Sequence, residues 1–311
     1  TSTGTSPQST TSYDWDPVGN RETVQTTPAS GPIVTDTYGT ANAVNQYAAI
    51  NGQSTGYDTN GNLTSARLQD AGSGPVSTLA YDSSNRLLSA SDGTHSVTST
   101  YDTRNRVTSR TINGVTTLFL WDGWDLIEER DMSGAQTRRY VHGAAVDEIL
   151  LMVDATGAKY HLHDALGSVT ALTDSTGAIL ESYKYDVFGK VTVTDSSLIS
   201  HPSSPLGNRF LYTGREWIAE AHLYDYRNRV YSPVIGRFMQ IDPIRFDAGD
   251  VNMYRYVGNR VADWNDPEGK VAPAVAAAAA AAHVIGGATV GAGAGYFTCA
   301  MGSLGEEAGK N

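Results

Sequence analysis

The chain has 311 residues, of which 40% are hydrophobic and 18% charged, and its formal net charge is −11. Such an acidic surface disfavours direct binding to nucleic acid or to anionic lipid heads, and a single cysteine, Cys299, excludes an intrachain disulfide framework. The length allows one large domain or two, and the abundance of Thr, Val, Tyr and Gly indicates β structure with many turns.

The first residues of this sequence do not have the pattern of a targeting signal. The first residue is Thr rather than Met, and no basic segment followed by an apolar one comes after it. We therefore expect the sequence to be a piece of a longer polypeptide, with any export signal upstream.

A short motif recurs through most of the chain. Its members are YDWDPVGN from Tyr13, YDTNGN from Tyr57, YDSSNR from Tyr81, YDTRNR from Tyr101, WDGWDL from Trp121 and a weaker YDVFGK from Tyr185. The usual spacing of about 20 to 24 residues fits two short strands and two turns, which predicts one β-hairpin per unit. We expect the Asp to accept backbone N–H bonds in its own turn. Since no hairpin is stable alone, stacked units must bury the core.

These units resemble the tyrosine-aspartate (YD) repeats of Rhs-repeat proteins, which include polymorphic bacterial toxins, the C components of insecticidal toxin complexes and animal teneurins. The later series RVYSPVIGRFMQIDP, NMYRYVGN and DPEG resembles the Rhs repeat-associated core. The resemblance covers about residues 10–270. It implies an all-β fold whose hairpins form a spiralling sheet, part of a hollow β-shell, with a helical Ala/Gly-rich C-terminal tail.

The resemblance also implies three regions. Residues 1–200 would be YD/Rhs repeats of a partial β-shell, residues 201–270 the repeat-associated core acting as an autoprotease, and residues 271–311 the start of a variable C-terminal tip. A piece of this length is too short to close a full cavity. It would therefore be the C-terminal part of a larger shell, or a truncated relative.

Two Asp-Pro pairs, at Asp242 and Asp266, are separated by 24 residues. Turn formation alone explains them, because the residue before Pro avoids the helical region and Asp caps its own backbone. They would also serve as paired carboxylates, of which one keeps a proton while the other acts as a base. The spacing along the chain does not decide between these interpretations.

The resemblance favours chemistry, because Rhs-associated cores behave as internal aspartyl proteases that cut after a DPxGL motif. The match assigns Asp242 and Asp266 as the carboxylate pair. It assigns Arg229 as the cation that keeps one of them ionised or polarises the scissile carbonyl, and it places the cut between Lys270 and Val271. Lys270 stands where the family usually has Leu. An ammonium group is costly to desolvate, so cleavage would be slowed or lost.

Other candidate sites are weaker. Arg237 is expected to be a structural ion-pair residue. His161 and His163 lie at strand spacing on one face, next to Asp164, and two such histidines can ligate a metal. No third ligand is evident nearby, so an ordinary structural segment is favoured. No nucleotide-binding or nucleophile-elbow motif occurs, and no cofactor or metal is expected.

The tail changes composition abruptly: residues 271–305 contain no Asp, Glu, Lys or Arg. Three interpretations stay open. The tail is a membrane-active or translocation segment, a helical hairpin lodged in the shell, or a flexible linker.

The function that the resemblance implies is a secreted or cell-surface bacterial effector whose shell encapsulates and releases its own C-terminal segment. Its partners would be that segment, secretion-apparatus or toxin-complex proteins, and an immunity protein. The alternatives are a non-enzymatic cell-surface or adhesion scaffold of YD repeats, as in teneurins, and an inactive remnant.

Overall fold

The computed structural model describes residues 9–70, 72, 74–201 and 203–270. The predicted all-β fold is confirmed, because these residues form β-strands joined by turns and four short 3₁₀ segments. Among them, no helix is long and apolar enough to span a bilayer. The predicted helical tail and its membrane role fall on residues 271–311, which lie outside the described residues.

The strands are β1 Thr10–Trp15, β2 Arg21–Thr27, β3 Val34–Thr37, β4 Ala49–Ile50, β5 Gln53–Ser54, β6 Gly56–Tyr57, β7 Leu63–Arg67, β8 Val76–Tyr81, β9 Leu87–Ser91, β10 Ser96–Tyr101, β11 Val107–Ile112, β12 Val115–Asp122, β13 Asp125–Arg130, β14 Gln136–His142, β15 Ile149–Asp154, β16 Gly157–His163, β17 Val169–Thr173, β18 Ile179–Tyr185, β19 Val191–Asp195, β20 Ser200–His201, β21 Glu216–Ile218, β22 Leu223–Asp225, β23 Val230–Ser232 and β24 Arg237–Phe238. The 3₁₀ segments are Tyr212–Gly214, Ala219–Ala221, Arg245–Ala248 and Val257–Asn259.

Fifteen of these strands, β6 to β20, form one antiparallel sheet in which every strand pairs with its neighbour in sequence. We call it the large sheet. Strands β1 to β3 form a separate three-stranded sheet, β4 and β5 a two-stranded one, and β21 to β24 a four-stranded one. Because all pairings join consecutive strands, the large sheet needs no crossover connection.

Each YD unit is a β-hairpin, as predicted. In the unit at Tyr81, Asp82 closes the turn between β8 and β9. Its Oδ1 accepts the backbone N–H groups of Ser84 and Arg86 at 2.9 and 3.0 Å. The same pair of contacts, to the N–H groups two and four residues on, is made by Asp16, Asp58, Asp102, Asp131, Asp164, Asp174, Asp186 and Asp195. The predicted role of the Asp that follows the aromatic residue is confirmed at Asp58, Asp82, Asp102 and Asp186. In the unit at Tyr13 the capping residue is Asp16 instead of Asp14, and the same contacts occur in units that lack the aromatic residue.

In four units, at Tyr81, Tyr101, Trp121 and Tyr185, the aromatic residue hydrogen-bonds back to a carbonyl of an earlier strand. Tyr101 donates its hydroxyl hydrogen to the carbonyl of Leu87 at 2.8 Å, and Trp121 Nε1 donates to a carbonyl of β11 at 2.7 Å. The strand register shifts at both aromatic residues, as at a β-bulge. His142 occupies the same position in the next unit, and its Nε2 hydrogen-bonds to a carbonyl of β13 at 2.8 Å.

The segment after the large sheet packs a tyrosine-rich core against it. Rings that are at most 1% exposed belong to Tyr224, Tyr226, Tyr231, Phe238 and Tyr256. Tyr231 donates its hydroxyl hydrogen to the carbonyl of Phe188, in the turn between β18 and β19, at 2.9 Å. Such contacts satisfy the polar tips of rings whose bodies are buried.

Buried ion pairs also join the large sheet to the segment that follows it. Arg110 of β11, whose side chain is 1% exposed, pairs with Glu216 of β21 and with Asp225 of β22, the latter at 3.3 Å. Removing one member of such a group leaves a buried charge without a partner, which costs roughly 3–5 kcal/mol. These pairs hold β22, and with it the turn that follows, against the large sheet.

Candidate functional site

Arg229 lies at the end of the tight turn between β22 and β23. The turn begins with Asp225, whose Oδ1 accepts the N–H of Arg227 at 2.8 Å, and it closes where the N–H of Tyr226 donates to the carbonyl of Arg229 at 2.9 Å. Arg227 has φ of +64°, a region that residues with a Cβ rarely occupy. The turn thus sends the side chain of Arg229 into the core, where it is 3% exposed.

Asp242 follows β24 in the first Asp-Pro turn. Its Oδ1 accepts the N–H of Ile244 at 2.9 Å, and its own N–H donates to the carbonyl of Met253 at 3.0 Å. The expected turn-capping role is therefore present. The other carboxylate oxygen, Oδ2, is left to face the core, and the residue is 3% exposed.

Asp266 begins the second Asp-Pro turn. Its Oδ1 accepts the N–H of Lys270 at 3.0 Å, and its carbonyl accepts the N–H of Gly269 at 3.3 Å. Gly269 has φ of +66°, and a Cβ there would lie 2.6 Å from the carbonyl oxygen of Tyr226. Glycine is required at this position by both the backbone conformation and the close approach of the Arg229 turn.

The structure brings the three predicted residues together. Arg229 Nη2 lies 2.9 Å from Asp242 Oδ2 and 3.2 Å from Asp266 Oδ2. The two carboxylate oxygens are therefore at most about 6 Å apart, the sum of those two contacts. Arg229 Nε donates to the carbonyl of Gly269 at 2.6 Å, and its guanidinium carbon lies 3.6 Å from the centre of the Phe238 ring.

Burial sets the electrostatics of the site. It lowers the pKa of Arg229, an effect that the two neighbouring carboxylates oppose. Burial also raises the pKa of Asp242, although the Arg229 guanidinium acts in the other direction, and the charge of Asp266 raises it further. Since one cation serves two acidic groups, Asp242 is the group inclined to keep a proton.

A small polar cavity opens beside the three side chains. It is lined by Arg229, Asp242, Ala248, Asp250, Asn252, Met253, Arg255, Val257, Gly258 and Asp266. It has room for about one water molecule. Both Asp242 and Asp266 line this cavity, and general acid–base hydrolysis requires a water within reach of such groups.

One peptide unit is held from both sides by the site. The carbonyl of Gly269 accepts from Arg229, and the N–H of the next residue, Lys270, donates to Asp266. The Lys270 side chain is half-buried, and its charge acts to lower the pKa of Asp242. Val271, on the far side of the predicted cut, lies outside the described residues.

Arg237 corrects one expectation. It was predicted to form an ion pair, but in the described part of the chain no carboxylate lies within ion-pair distance of it. Its Nη2 donates to Asn20 Oδ1 at 2.6 Å and to Asn252 Oδ1 at 3.2 Å, and its guanidinium lies over the ring of Tyr47 at 4.4 Å. Neutral amides and a ring replace the expected carboxylate.

The histidine pair is part of the sheet. His161 is buried, and its Nε2 hydrogen-bonds to Asn208 Oδ1 at 3.2 Å. His163 stacks on it with ring centres 6.2 Å apart. Asp164 is the turn carboxylate of its unit, with Oδ1 bound to two backbone N–H groups. Within residues 9–270, as far as described, no three His, Cys, Asp or Glu residues are arranged to share a metal ion.

Sequence reasoning missed the neighbours of Arg229. Arg227 Nη1 donates to the carbonyl of Pro267 at 3.0 Å, and Asn228 Nδ2 donates to the carbonyl of Glu268 at 2.9 Å. The only signal was that both adjoin Arg229 in the sequence YRNRVYSP. Nothing local indicates that their partners lie 40 residues further on.

Comparison with known proteins finds relatives that are much longer than this chain. No protein-family model matches it. It is 32% identical over 278 residues to the tRNA3(Ser)-specific nuclease WapA of Bacillus spizizenii, covering 83% of this chain and 11% of that protein. It is 34% identical over 135 residues to salivary gland surface protein 1 of Aedes aegypti, covering 43% of this chain and 4% of that protein. The chain thus spans a small part of the length of the curated relatives it matches.

A solved structure shares the fold. The crystal structure of TcdB2-TccC3 superimposes with a TM-score of 0.64 at 19% identity, over 84% of this chain and 14% of that one. At this identity the likeness concerns the path of the backbone. It supports the all-β, sheet-forming architecture described above.

Proposed function

Because this chain belongs to the Rhs (YD-repeat) family, we propose that it is the C-terminal part of a toxin shell that cuts its own backbone after Lys270. Residues 1–200 would be a partial shell, residues 201–270 the repeat-associated core that cuts, and residues 271–311 the start of the released segment. The observation that carries the proposal is that Arg229 contacts Asp242, Asp266 and the carbonyl of Gly269 at once.

The reaction is hydrolysis of one peptide bond. Asp266 takes a proton from a water in the polar cavity, and the resulting hydroxide attacks the carbonyl carbon of Lys270. Asp242, whose pKa is raised by burial, gives its proton to the departing nitrogen of Val271. The proton that Asp266 took then restores Asp242, so the pair is unchanged.

Arg229 contributes charge and position. It lies 3.2 Å from the Asp266 carboxylate, and by binding the carbonyl of Gly269 it fixes the peptide unit just before the scissile one. Placing a reacting bond in this way is a large part of the rate that an enzyme gains. Because each chain cuts itself, the site acts once.

The wider role follows from the relatives. The relative in Bacillus spizizenii is a tRNA-specific nuclease that is much longer than this chain, which is compatible with an exported effector whose activity lies outside the part matched here. For this chain we propose the same arrangement. Its partners would be its own released segment, an immunity protein that blocks that segment, and secretion-apparatus or toxin-complex proteins.

Intact mass of the purified chain tests the proposal. We expect the wild type to give two fragments that meet after Lys270, with one added water. Asp242→Asn and Asp266→Asn should stay whole. Asp263→Asn is the matched control: this acid lies three residues before Asp266, its side chain is 54% exposed, and its loss should leave cleavage unchanged.

A host protease that cuts after lysine would also give two fragments that meet after Lys270. Lys270→Gln separates the two causes, because it removes the lysine but keeps Asp242, Asp266 and Arg229. Cleavage at the same bond in this variant supports self-processing. An intact wild type, or cleavage of Asp266→Asn at the wild-type rate, would leave a non-enzymatic YD-repeat scaffold or an inactive remnant as the function.

A further inference from the structure

Three consecutive side chains of one turn hold three consecutive carbonyls of the segment to be cut. Arg227, Asn228 and Arg229 donate to the carbonyl oxygens of residues 267, 268 and 269 at 3.0, 2.9 and 2.6 Å, in that order. We call residues 227–229 the clamp and residues 267–270 the cleavage segment. Since the clamp binds the cleavage segment only through backbone oxygens, it acts on the path of the main chain and recognises no side chain of the segment.

Arg227 is held in an unfavourable backbone conformation. Its φ of +64° costs on the order of 1 kcal/mol or more for a residue with a side chain, so its surroundings must stabilise it. The side chain is 10% exposed, and its guanidinium lies 5.3 Å from the ring centre of Trp124, in the turn between β12 and β13. The clamp is thus packed against a hairpin of the large sheet.

Asp147 is the main ionic partner of Arg227. It lies in the loop between β14 and β15, and its Oδ1 accepts from Arg227 Nη2 at 2.7 Å and from Arg215 Nη1 at 2.9 Å. Its own φ is +61°. Its carbonyl oxygen would lie 2.7 Å from a Cβ added to Gly214, so the loop is seated closely against the core backbone.

The Asp147 carboxylate balances the charges of two neighbouring guanidinium groups, those of Arg227 and Arg215. Burial lowers the pKa of Arg227, and the neighbouring Arg215 lowers it further, whereas Asp147 raises it. Without Asp147, the guanidinium groups of Arg215 and Arg227 would lose the one carboxylate oxygen to which both donate, although Asp225 and Glu268 still act on Arg227 from further away. Repulsion would then move Arg227 away from the carbonyl of Pro267.

A second hairpin of the large sheet touches the clamp. Asn105, in the turn between β10 and β11, donates from Nδ2 to Asn228 Oδ1 at 3.1 Å. That contact orients the amide of Asn228 so that its own Nδ2 faces Glu268. Two separate turns of the repeats therefore support two of the three clamp residues.

We propose that Asp147 positions the cleavage segment through Arg227, so that the site is completed only when the repeats have docked on the core. The inference rests on the proposed function for its consequence, which is that self-cleavage awaits a folded shell. Asp147 touches neither the carboxylate pair nor the scissile bond, and it is a positioning residue.

Hydrogen exchange of the cleavage segment tests the positioning without relying on cleavage. All variants are made in the full chain carrying Asp242→Asn, so that the segment stays attached under the proposed function. In Asp147→Asn and in Arg227→Gln, we expect the amides of Glu268, Gly269 and Lys270 to exchange roughly tenfold faster, as for the loss of one charge-assisted hydrogen bond.

The matched control removes a different acid of the large sheet. Glu129 of β13 is 3% exposed and pairs with Arg209, beyond the sheet, at 2.8 Å, but it makes no described contact with the clamp. Glu129→Gln should leave exchange of the cleavage segment unchanged. Equal acceleration in Glu129→Gln and Asp147→Asn would show that loosened docking alone is responsible, and would overturn the proposal.

The second readout is the rate of cleavage, measured in variants that keep Asp242 and can therefore still cut themselves. The rate is measured on pulse-labelled chain as the fraction cut over time. Asp147→Asn and Arg227→Gln should each slow cleavage, and the double variant should be no slower than the slower single one, since both break one link. Asp147→Glu should restore most of the rate. If the double variant lost as much rate as the two single variants together, Asp147 would act by a route other than Arg227, and the proposal would be overturned.

The two ideas fail differently. An intact wild-type chain overturns the proposed function, while the exchange comparison still decides whether Asp147 positions the segment. A wild type that cuts itself, with exchange and cleavage unaltered by Asp147→Asn and Arg227→Gln, overturns the positioning inference alone.

Discussion

Arg229 and Asp266 enclose a single peptide unit between them: the Arg229 side chain binds its carbonyl oxygen at 2.6 Å, and the Asp266 carboxylate binds its N–H at 3.0 Å. The two side chains also contact each other at 3.2 Å. The group that binds the backbone is therefore the same group that balances the charge of the carboxylate pair.

Replacing Arg229 should abolish cleavage and destabilise the core together. Lysine keeps the charge, but a single ammonium group cannot reach Asp242, Asp266 and the Gly269 carbonyl at once. We expect Arg229→Lys to stop cleavage by intact mass and to lower the free energy of unfolding in urea by roughly 3–5 kcal/mol, because two acids lose a buried partner. Arg260→Lys, at a site where the arginine side chain is 56% exposed, should change neither.

Gly269 should tolerate no side chain. Gly269→Ala places a Cβ 2.6 Å from the carbonyl oxygen of Tyr226 in a backbone conformation with φ of +66°, so the cleavage segment must move away from the clamp. We expect cleavage to slow by roughly 100-fold, as for misplacement of a reacting group by about 1 Å. Gly93→Ala is the control, because Gly93 has φ of +86° but open space around it. Equal slowing in both variants would contradict a specific role for the close approach.

Lys270 should slow the cleavage of the chain after this residue. Its ammonium lowers the pKa of Asp242, against the effect of burial, and it must lose water if the side chain enters the core. We expect Lys270→Leu to be cut faster than the wild type in pulse-labelled chain. Lys270→Gln distinguishes the two causes: if charge is responsible it will also be faster, whereas if apolarity is responsible it will not. A slower Lys270→Leu would contradict both.

His161 should make the fold sensitive to acid. The pKa of His161 is lowered to about 4, mainly by burial and in smaller part by the neighbouring His163 and His142, while the hydrogen bond to Asn208 acts in the other direction. A folded-state pKa below the unfolded one stabilises the protein above about pH 6.5, and this stability is lost as the pH falls towards 4. The shift corresponds to a loss on the order of 3 kcal/mol.

The measurement is the free energy of unfolding in urea at pH 7, 5.5 and 4. His161→Gln keeps a polar contact to Asn208 but does not titrate, so the decline with acid should be smaller in this variant. His201→Gln, which alters a more exposed histidine at the edge of the large sheet, is the control. A variant that loses as much stability in acid as the wild type would contradict the role of His161.

Local rules account for what could be predicted of the repeats. The turn at Asp82 is stabilised by the Asp82 carboxylate, which accepts N–H groups two and four residues away. A few adjacent residues therefore determine the conformation of the turn. His142 was missed because it makes the hydrogen bond that Tyr or Trp makes in other units, but it does not belong to a YD pair. The expectation for Arg237 was wrong because its partners are neutral amides, of which Asn20 lies 217 positions away and gives no local signal in the sequence.

The sequence by itself determined that the chain is a series of antiparallel hairpins, because each turn and strand pair is specified within about 20 residues. Family motifs also pointed to Asp242, Asp266 and Arg229, but the 24-residue separation of the two acids carried no information about contact. Only the tertiary structure decided that one guanidinium serves both, and that Asp147 and Asn105 support the turn beside it. Those contacts depend on how the large sheet packs on the core, which is set by the sum of many buried side chains.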